Sequence, residues 1–214
     1  MRHPQSRSMV DFAREEIKQM ILQKTLKPGQ HLAEITLSQR LQISRTPIRE
    51  ALRELCNDGW VTIIPNKGVW VASPSQREVR DTFEMRTRLE CWATYKAAFN
   101  VTAILLTQLR ECLEKENKIY NTNNHERYFE ANEKFHLLIA EASGNSILNV
   151  HVKILLSKTM IFTALHDNYF DFPKNPSLNE HTAIVDALER RDTNGLIRLM
   201  KRHLGGAGFA LKLC

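Results

Sequence analysis

Apolar residues recur at the spacing of a helix face in three segments of the first 57 residues. In the first segment Phe12, Ile17 and Ile21 share one face, with charged residues between them. Pro28-Gly29 interrupts this pattern and predicts a turn. Pro47 fits the first turn of a helix, where its missing N–H is not needed. The pattern predicts a first helix over about residues 9–24 and a short second helix through Leu37 and Leu41. The third helix is predicted to begin at a cap formed by Ser44 or Thr46 and to end at about Asn57, before Gly59.

The hydrophobic period changes from about 3.6 to about 2 after the third helix. Residues 60–64 and 69–72 are rich in β-branched and aromatic side chains, which is typical of strands. Residues 65–68, Pro-Asn-Lys-Gly, predict a tight turn, so the two strands should form a hairpin. Residues 73–75, Ser-Pro-Ser, break the pattern and indicate a domain boundary.

The pattern after residue 75 is helical. Ser75 with Glu78, and Ser177 with Glu180, fit the capping box S-x-x-E that opens many helices. Apolar residues at helical spacing predict six helices, over about residues 76–99, 102–121, 126–142, 147–165 and 177–189, and from residue 192 or 193 onward. Six helices without a strand predict an all-α bundle.

This order of elements predicts a mainly α protein with two domains. Three helices followed by a hairpin, in residues 1–74, form a winged helix-turn-helix, and residues 75–214 form the helical bundle. The 214 residues are 25% charged and 43% hydrophobic, as in a soluble globular protein. Four cysteines without a C-x-x-C pair are typical of reduced intracellular thiols. No uncharged apolar stretch has the length of a membrane span, and no secretory signal precedes the first helix, so we expect a cytoplasmic protein.

The N-terminal domain carries most of the excess positive charge. The net charge is +6, and residues 1–75 contain 11 Lys or Arg against 7 Asp or Glu. A basic domain of this shape favours a nucleic-acid partner, because the third helix can enter the major groove and arginine can donate a bidentate pair to guanine. The alternative is a solvated helix face on which Arg49 and Arg53 pair with Glu50 and Glu54. The candidate DNA contacts lie at the start of the third helix and at the hairpin tip: Arg45, Thr46, Arg49, Arg53, Lys67 and Gly68.

These segments resemble the GntR family of bacterial transcription regulators. The resemblance covers nearly all of residues 9–72 and rests on Leu26-Lys27-Pro28-Gly29, Leu37-Ser38-Gln39-Arg40-Leu41, the run SRTPIREAL from Ser44 to Leu52, Asp58-Gly59 and Pro65-Asn66-Lys67-Gly68. It implies DNA contacts by Arg45, Thr46, Arg49 and Gly68. Ile35 stands where some members have a further DNA-contacting arginine, so that contact is absent here.

The helical domain contains residues that could hold a metal ion. Asn132 and His136 are four residues apart and share a helix face, and His181 and His203 follow in two later helices. Imidazole groups suit Zn, Ni, Mn or Fe. The alternative is that these histidines, far apart in the sequence, are unrelated residues that are each exposed or hydrogen-bonded.

A second resemblance favours the metal site. Residues 76–208 resemble the FCD effector domain of the FadR subgroup, in residues 78–90, 132–136 and 143–145 and in Glu180-His181 and His203-Leu204. The resemblance implies a divalent transition metal, Zn or Ni, or else Mn or Fe, held by Asn132, His136, His181 and His203. It also implies a small organic acid on the metal, with Arg86 as its partner. Most such sites carry Asp where this chain has Asn132.

Together these features predict a homodimeric DNA-binding regulator that binds a palindromic operator. In the family that it resembles, the commonest case is a repressor that leaves the operator when a small carboxylate binds, and an activator is the alternative. An alternative with the same fold has a metal-free pocket for an apolar or acyl ligand. A second alternative, a metallohydrolase, lacks support because Glu133 points to another helix face than Asn132 and no H-E-x-x-H motif is present. We therefore expect neither an enzyme nor a membrane partner.

Overall fold

The computed structural model describes residues 8–120, 122, 124–165, 175 and 177–210. The chain divides into two compact units, Met1–Pro74 and Ser75–Cys214. Each unit has its own core, and the mainly α fold class is confirmed.

The N-terminal unit is a winged helix. Its elements are α1 (Met9–Leu22), β1 (His31–Leu32), α2 (Glu34–Leu41), α3 (Arg45–Asn57), β2 (Val61–Ile64) and β3 (Gly68–Val71). α1 begins with a capping box, in which the Ser8 hydroxyl accepts from the Asp11 N–H and the Asp11 carboxylate accepts from the Ser8 N–H. Ile17, Ile48 and Leu52 are completely or almost completely buried where the helices pack. The three predicted helices and the hairpin are therefore present.

The sequence pattern missed one strand. β1 pairs antiparallel with β3, with His31 opposite Trp70 and Leu32 opposite Val69. β2 pairs with the other edge of β3, so the strand order is β1-β3-β2. A strand of two residues is too short to show an alternating pattern, which is why the sequence predicted only the hairpin.

Gly68 occupies a position that a larger residue would strain. Its φ is +84°, in the left-handed region that favours glycine. A Cβ atom at Gly68 would lie 2.7 Å from Nε2 of His31. The hairpin therefore has a structural requirement for glycine here, independent of any contact with DNA.

The C-terminal unit is a bundle in which α4 packs against three other helices. Its helices are α4 (Gln76–Ala97), α5 (Ala103–Tyr120), α6 (His125–Ala142), α7 (Ser146–Leu165), α8 (Leu178–Glu189) and α9 (Thr193–Ala210). α4 contacts α6, α7 and α9, and α5 contacts α6 and α8. The Ser75 hydroxyl caps α4 by accepting from the Glu78 N–H at 3.1 Å, which is one half of the predicted capping box. The Glu78 carboxylate, which would form the other half, pairs with Lys158 at 3.7 Å. One core cluster of the described residues includes Leu109, Phe135, Ile139, Ile184, Leu188 and Leu196.

The capping box predicted at the start of α8 is wrong. Ser177 precedes α8, but its side chain makes no cap hydrogen bond. The Glu180 carboxylate, which would complete the box, is instead bound to His203 at 2.9 Å. The Ser177 N–H donates to the side chain of Asn175 at 3.0 Å. A contact between distant residues thus replaces the local one.

α7 is long and apolar enough to cross a membrane, judged by length and composition alone. It packs against α4 and α6, and Val152, Leu156 and Ile161 are buried within the unit. Burial of this kind is typical of a core helix in a bundle.

Candidate metal centre and nucleic-acid interface

Three buried imidazole rings converge in the C-terminal unit. His136 lies on α6, His181 on α8 and His203 on α9, and none is more than 3% exposed. Nε2 of His203 is 3.1 Å from Nε2 of His181 and 3.4 Å from Nε2 of His136. Histidines that are far apart in the sequence are therefore neighbours, in a group that could hold a metal ion.

A carboxylate lies behind each ring. A carboxylate oxygen only accepts hydrogen bonds, so Nδ1 of each ring carries the proton and donates it. The lone pair of each Nε2 is then left for the shared centre. A hydrogen-bond acceptor on the ring nitrogen that does not bind the metal orients a metal-binding imidazole in this way. The three pairs are His136 with Glu90 at 2.5 Å, His181 with Glu116 at 3.0 Å and His203 with Glu180 at 2.9 Å.

Neighbouring groups keep two of the buried carboxylates ionised. Burial by itself raises the pKa of Glu90, but the charge of Arg86 and the hydrogen bonds from Arg86 and His136 lower this pKa to about 2. Burial also raises the pKa of Glu116, and the contact with His181, which includes a hydrogen bond, brings it below its usual value. Both side chains are therefore anions at neutral pH.

Burial keeps the imidazoles of His136 and His203 neutral. It lowers the pKa of His136 to about 4, against the opposing charge of Glu90. It also lowers the pKa of His203 well below its usual value, and His181, His136 and Arg86 act in the same direction. Neutral imidazole is the form that binds a metal ion, so neither of these two rings has to lose a proton at neutral pH.

The geometry of the rings fits a divalent metal. Unprotonated Nε2 atoms offer lone pairs without a hydrogen, so they cannot hydrogen-bond to one another. Their separations of 3.1 and 3.4 Å agree with the roughly 2.9–3.4 Å between neighbouring ligands whose bonds to a metal are about 2.0–2.1 Å long. His136, His181 and His203 would hold such an ion, which would supply a Lewis-acidic position for a ligand oxygen.

Asn132 lies beside this group. It is one helical turn before His136 on α6 and is half-buried. It lines the same cavity as His136 and His203. The structure thus brings the predicted fourth ligand next to two of the imidazoles, and coordination by its amide oxygen stays a prediction.

Arg86 places a positive charge on the wall of the same cavity. It is 5% exposed, is paired with Glu90, and donates from Nη1 to the hydroxyl of Thr159 at 3.0 Å. Its Nη2 is buried and has no hydrogen-bond partner among the described residues. A buried N–H group without a partner is destabilising, so Nη2 is available to an anion that enters the cavity.

The pairing of the three carboxylates with the histidines has no local signature in the sequence. Glu90, Glu116 and Glu180 are 46, 65 and 23 residues away from the histidines that they bind. One signal was present, because Glu116 shares the buried face of α5 with Leu109 and Leu113. A charge on an apolar face requires a buried partner, which would have marked this residue as part of a site.

The predicted nucleic-acid contacts are all exposed on the N-terminal unit. The solvated-face alternative expects Arg49 to pair with a glutamate on its own helix α3, and the structure differs from this expectation. Arg49 binds Glu34 on α2, and Arg45 binds the same carboxylate. Arg53 does pair with Glu50, at 3.2 Å. The exposed residues are Arg45, Thr46, Arg49 and Arg53 on α3, and Lys67 and Gly68 at the hairpin tip.

Comparison with known proteins identifies both units. Residues 10–71 match the family of bacterial regulatory proteins named gntR, and residues 81–206 match the FCD domain. The HTH-type transcriptional repressor RspR of Escherichia coli K12 is 27% identical over 193 residues, which cover 88% of this chain and 82% of RspR. The HTH-type transcriptional regulator McbR of the same strain is 30% identical over 185 residues, covering 84% of this chain and 82% of McbR.

Solved structures of such regulators share the fold. The structure of E. coli McbR/YncC has a TM-score of 0.71 and 23% identity, and the match covers 97% of this chain and 98% of the other. A putative transcriptional regulator GntR from Rhodococcus sp. RHA1 has a TM-score of 0.74 and 22% identity, covering 96% and 98% of the two chains. Proteins of this family regulate transcription and are not enzymes. The chain therefore belongs to the GntR family of bacterial DNA-binding transcription regulators and carries an FCD domain after its winged helix.

Proposed function

We propose that this regulator senses a small organic acid through a metal ion in its FCD domain, and that the acid controls operator binding. The observation that carries the proposal is the placement of His136, His203 and the unpartnered Nη2 of Arg86 around one cavity. A metal held by the imidazoles would offer an open position to a carboxylate. Arg86 would donate to the same carboxylate. The protein would act in the cytoplasm, where its DNA lies.

A dication offsets the negative charge that is buried in the site. Glu90 and Glu116 are buried carboxylates behind the imidazoles, and Arg86 adds one positive charge. Glu180, behind His203, is 28% exposed, so water screens its charge. The remaining buried negative charge is strongly destabilising when it is uncompensated. A divalent ion, Zn or Ni, or else Mn or Fe, offsets it. Because Asn132 adds no further negative charge, the loaded site can still accept an anion.

The lining of the cavity favours a short polar acid over an acyl chain. The Ser177 hydroxyl can donate to a carboxylate oxygen of the ligand. The hydroxyl groups of Thr159 and Thr163 already donate to backbone carbonyls, and their oxygens can accept from a hydroxyl group of the ligand. Phe83 and Phe129 can pack against its carbon skeleton. A metal-free pocket for an apolar ligand would leave the Arg86 Nη2 buried without a partner.

We place the homodimer contact on the exposed face of α4 and of the turn that follows it. Met85, Trp92 and Phe99 follow one another at seven-residue spacing and are 49%, 53% and 60% exposed. Trp92 stacks on Tyr95 with ring centroids 5.3 Å apart, and Tyr95 meets Phe99 edge-on at 5.3 Å. Exposed aromatic clusters of this kind are typical of interaction sites. A second copy of the chain fits, because two winged helices related by a two-fold axis match a palindromic operator.

α4 would connect effector binding to DNA binding. It begins at Gln76, two residues after the boundary between the units, and it carries both Arg86 and Glu90. An acid that bonds to Arg86 would favour one position of α4. A change in the position of α4 would change the spacing of the two recognition helices in the dimer. The size of this effect is set by the difference between the acid's affinities for the two positions of α4.

Small carboxylates should raise the melting temperature only while the metal is bound. A ligand that binds only the folded state stabilises it by mass action. The protein, purified without a metal-affinity tag, is screened against mono-, di- and tricarboxylates and sugar acids, with and without EDTA. In Arg86→Lys, which keeps the charge but loses the planar fork, the shift should shrink. Stabilisation by apolar ligands alone, unaffected by EDTA, would favour the metal-free alternative.

Glu116→Gln should weaken Zn²⁺ binding by about 10–100-fold, because the neutral amide orients and polarises His181 less than the carboxylate does. The affinity is measured by competition with a chromophoric chelator. Glu114→Gln is the matched control, since Glu114 lies on the same helix but is exposed and pairs with Lys118. Equal Zn²⁺ affinity in both variants would show that the carboxylate behind His181 has no role in a metal site.

Arg49→Ala should weaken operator binding by roughly 1–3 kcal/mol and relax the preference for one base pair. The reason is the loss of a bidentate donor at the start of α3. Fluorescence anisotropy with a duplex selected from a random library gives the affinity. Unchanged affinity and preference would remove Arg49 from the surface that reads DNA.

Trp92→Glu should shift the protein toward monomer, because it places a charge in the proposed interface. Sedimentation velocity gives the oligomeric state. Arg80→Glu is the control, since Arg80 is an exposed residue of α4 outside the aromatic cluster. A dimer that survives Trp92→Glu at low micromolar concentration would contradict this placement of the interface.

A further inference from the structure

Glu34 joins two arginines at the start of α3. It lies in the first turn of α2, and its Oε1 accepts from Nε of Arg49 at 3.1 Å while its Oε2 accepts from Nη2 of Arg49 at 2.9 Å. Oε2 also accepts from Nη2 of Arg45 at 3.3 Å. One carboxylate therefore holds two of the proposed DNA contacts.

This contact differs from the other ion pairs of the same surface. Arg53 and Glu50 pair within one helix, with side chains 63% and 49% exposed, and such pairs contribute little. The Glu34 side chain is only 25% exposed, and it accepts two parallel N–H bonds from another helix. Parallel bonds of this kind fix the plane of a guanidinium group.

The Glu34 carboxylate remains charged at neutral pH. The hydrogen bond from Arg49 is the largest cause that lowers the pKa of Glu34, and the hydrogen bond from Arg45 acts in the same direction. Partial burial opposes both, but the pKa stays below its usual value. The start of α3 therefore carries a fixed negative charge between its two arginines.

The bonds to Glu34 occupy one edge of the Arg49 guanidinium and leave another edge open. A guanidinium has five N–H donors in a planar fork. Glu34 takes Nε–H and one hydrogen of Nη2, and the Nη1 hydrogens have no partner among the described residues. The open edge, formed by Nη1 and Nη2, is a pair of parallel donors that matches O6 and N7 of guanine.

We propose that Glu34 is a positioning residue that sets sequence specificity through Arg49; this rests on the proposed role of Arg49 in reading a base pair. By holding one edge of the guanidinium, Glu34 presents the other edge to a base and reduces the conformational freedom lost on binding. Its negative charge also opposes phosphate groups, which Arg45 and Arg49 would otherwise contact at any sequence.

Glu34→Gln tests the proposal because it removes the charge and keeps the shape. The probes are a duplex that the full-length wild-type chain selects from a random library and a scrambled duplex of the same composition. Glu54→Gln is the matched control, since Glu54 lies on α3 and pairs with Arg14 at 3.7 Å rather than with Arg45 or Arg49. Circular dichroism melting verifies that each variant is folded.

The measured quantity is the ratio of the affinity for the selected duplex to the affinity for the scrambled duplex. We expect this ratio to fall about tenfold in Glu34→Gln, because the released arginines bind phosphates at any sequence. The plot of log affinity for the scrambled duplex against log salt should steepen by about one unit. In an Arg49→Ala background the same substitution should change the ratio less than about threefold, because the residue through which Glu34 acts is absent. Glu54→Gln should leave the ratio within about twofold of the wild type.

An unchanged ratio in Glu34→Gln overturns the proposal, and so does an equal fall in the Arg49→Ala background or in Glu54→Gln. The proposed function fails separately and earlier. If the wild-type chain selects no sequence, or if Arg49→Ala keeps the full ratio, then Arg49 does not read a base pair and Glu34 has no specificity to set.

Discussion

The burial of three imidazole rings around one point constrains the whole helical unit. The rings come from α6, α8 and α9, and the carboxylates behind them come from α4, α5 and α8. Nδ1 of each ring carries a proton and donates it in a hydrogen bond to a carboxylate. Each Nε2 is therefore unprotonated and faces other unprotonated nitrogens. Such an arrangement is unfavourable by itself and becomes favourable around a cation. Five of the six helices described in this unit are thereby tied to a single site.

Both units use glutamates to fix the side chains that meet a ligand. In the helical unit, Glu90, Glu116 and Glu180 orient imidazoles toward a proposed metal. In the winged helix, Glu34 holds Arg45 and Arg49. In each case the glutamate is less exposed than most surface acids, and the opposite end of its partner is left for the ligand. This common arrangement limits the conformational freedom of the functional side chains before binding.

The sequence predicted the elements better than the contacts between them. Hydrophobic period and capping residues located the helices, because these signals are local. They missed β1, which has only two residues, and they gave a false capping box at Ser177, because Glu180 is used by His203 instead. The histidines were found as candidates, but their carboxylate partners were not, since each pair is formed between different helices. Likewise, Glu34 was not found, because its contact with Arg49 spans 15 residues.

The metal content of the protein tests the central claim most directly. Wild-type protein is purified without a metal-affinity tag and analysed by inductively coupled plasma mass spectrometry, beside a His136→Ala, His203→Ala double variant. The account predicts about one divalent transition-metal ion per wild-type chain, as purified or after incubation with Zn²⁺ and dialysis, and less than about a tenth of that in the double variant. Equal metal content in the two proteins, or a wild-type chain that takes up no metal, would contradict it.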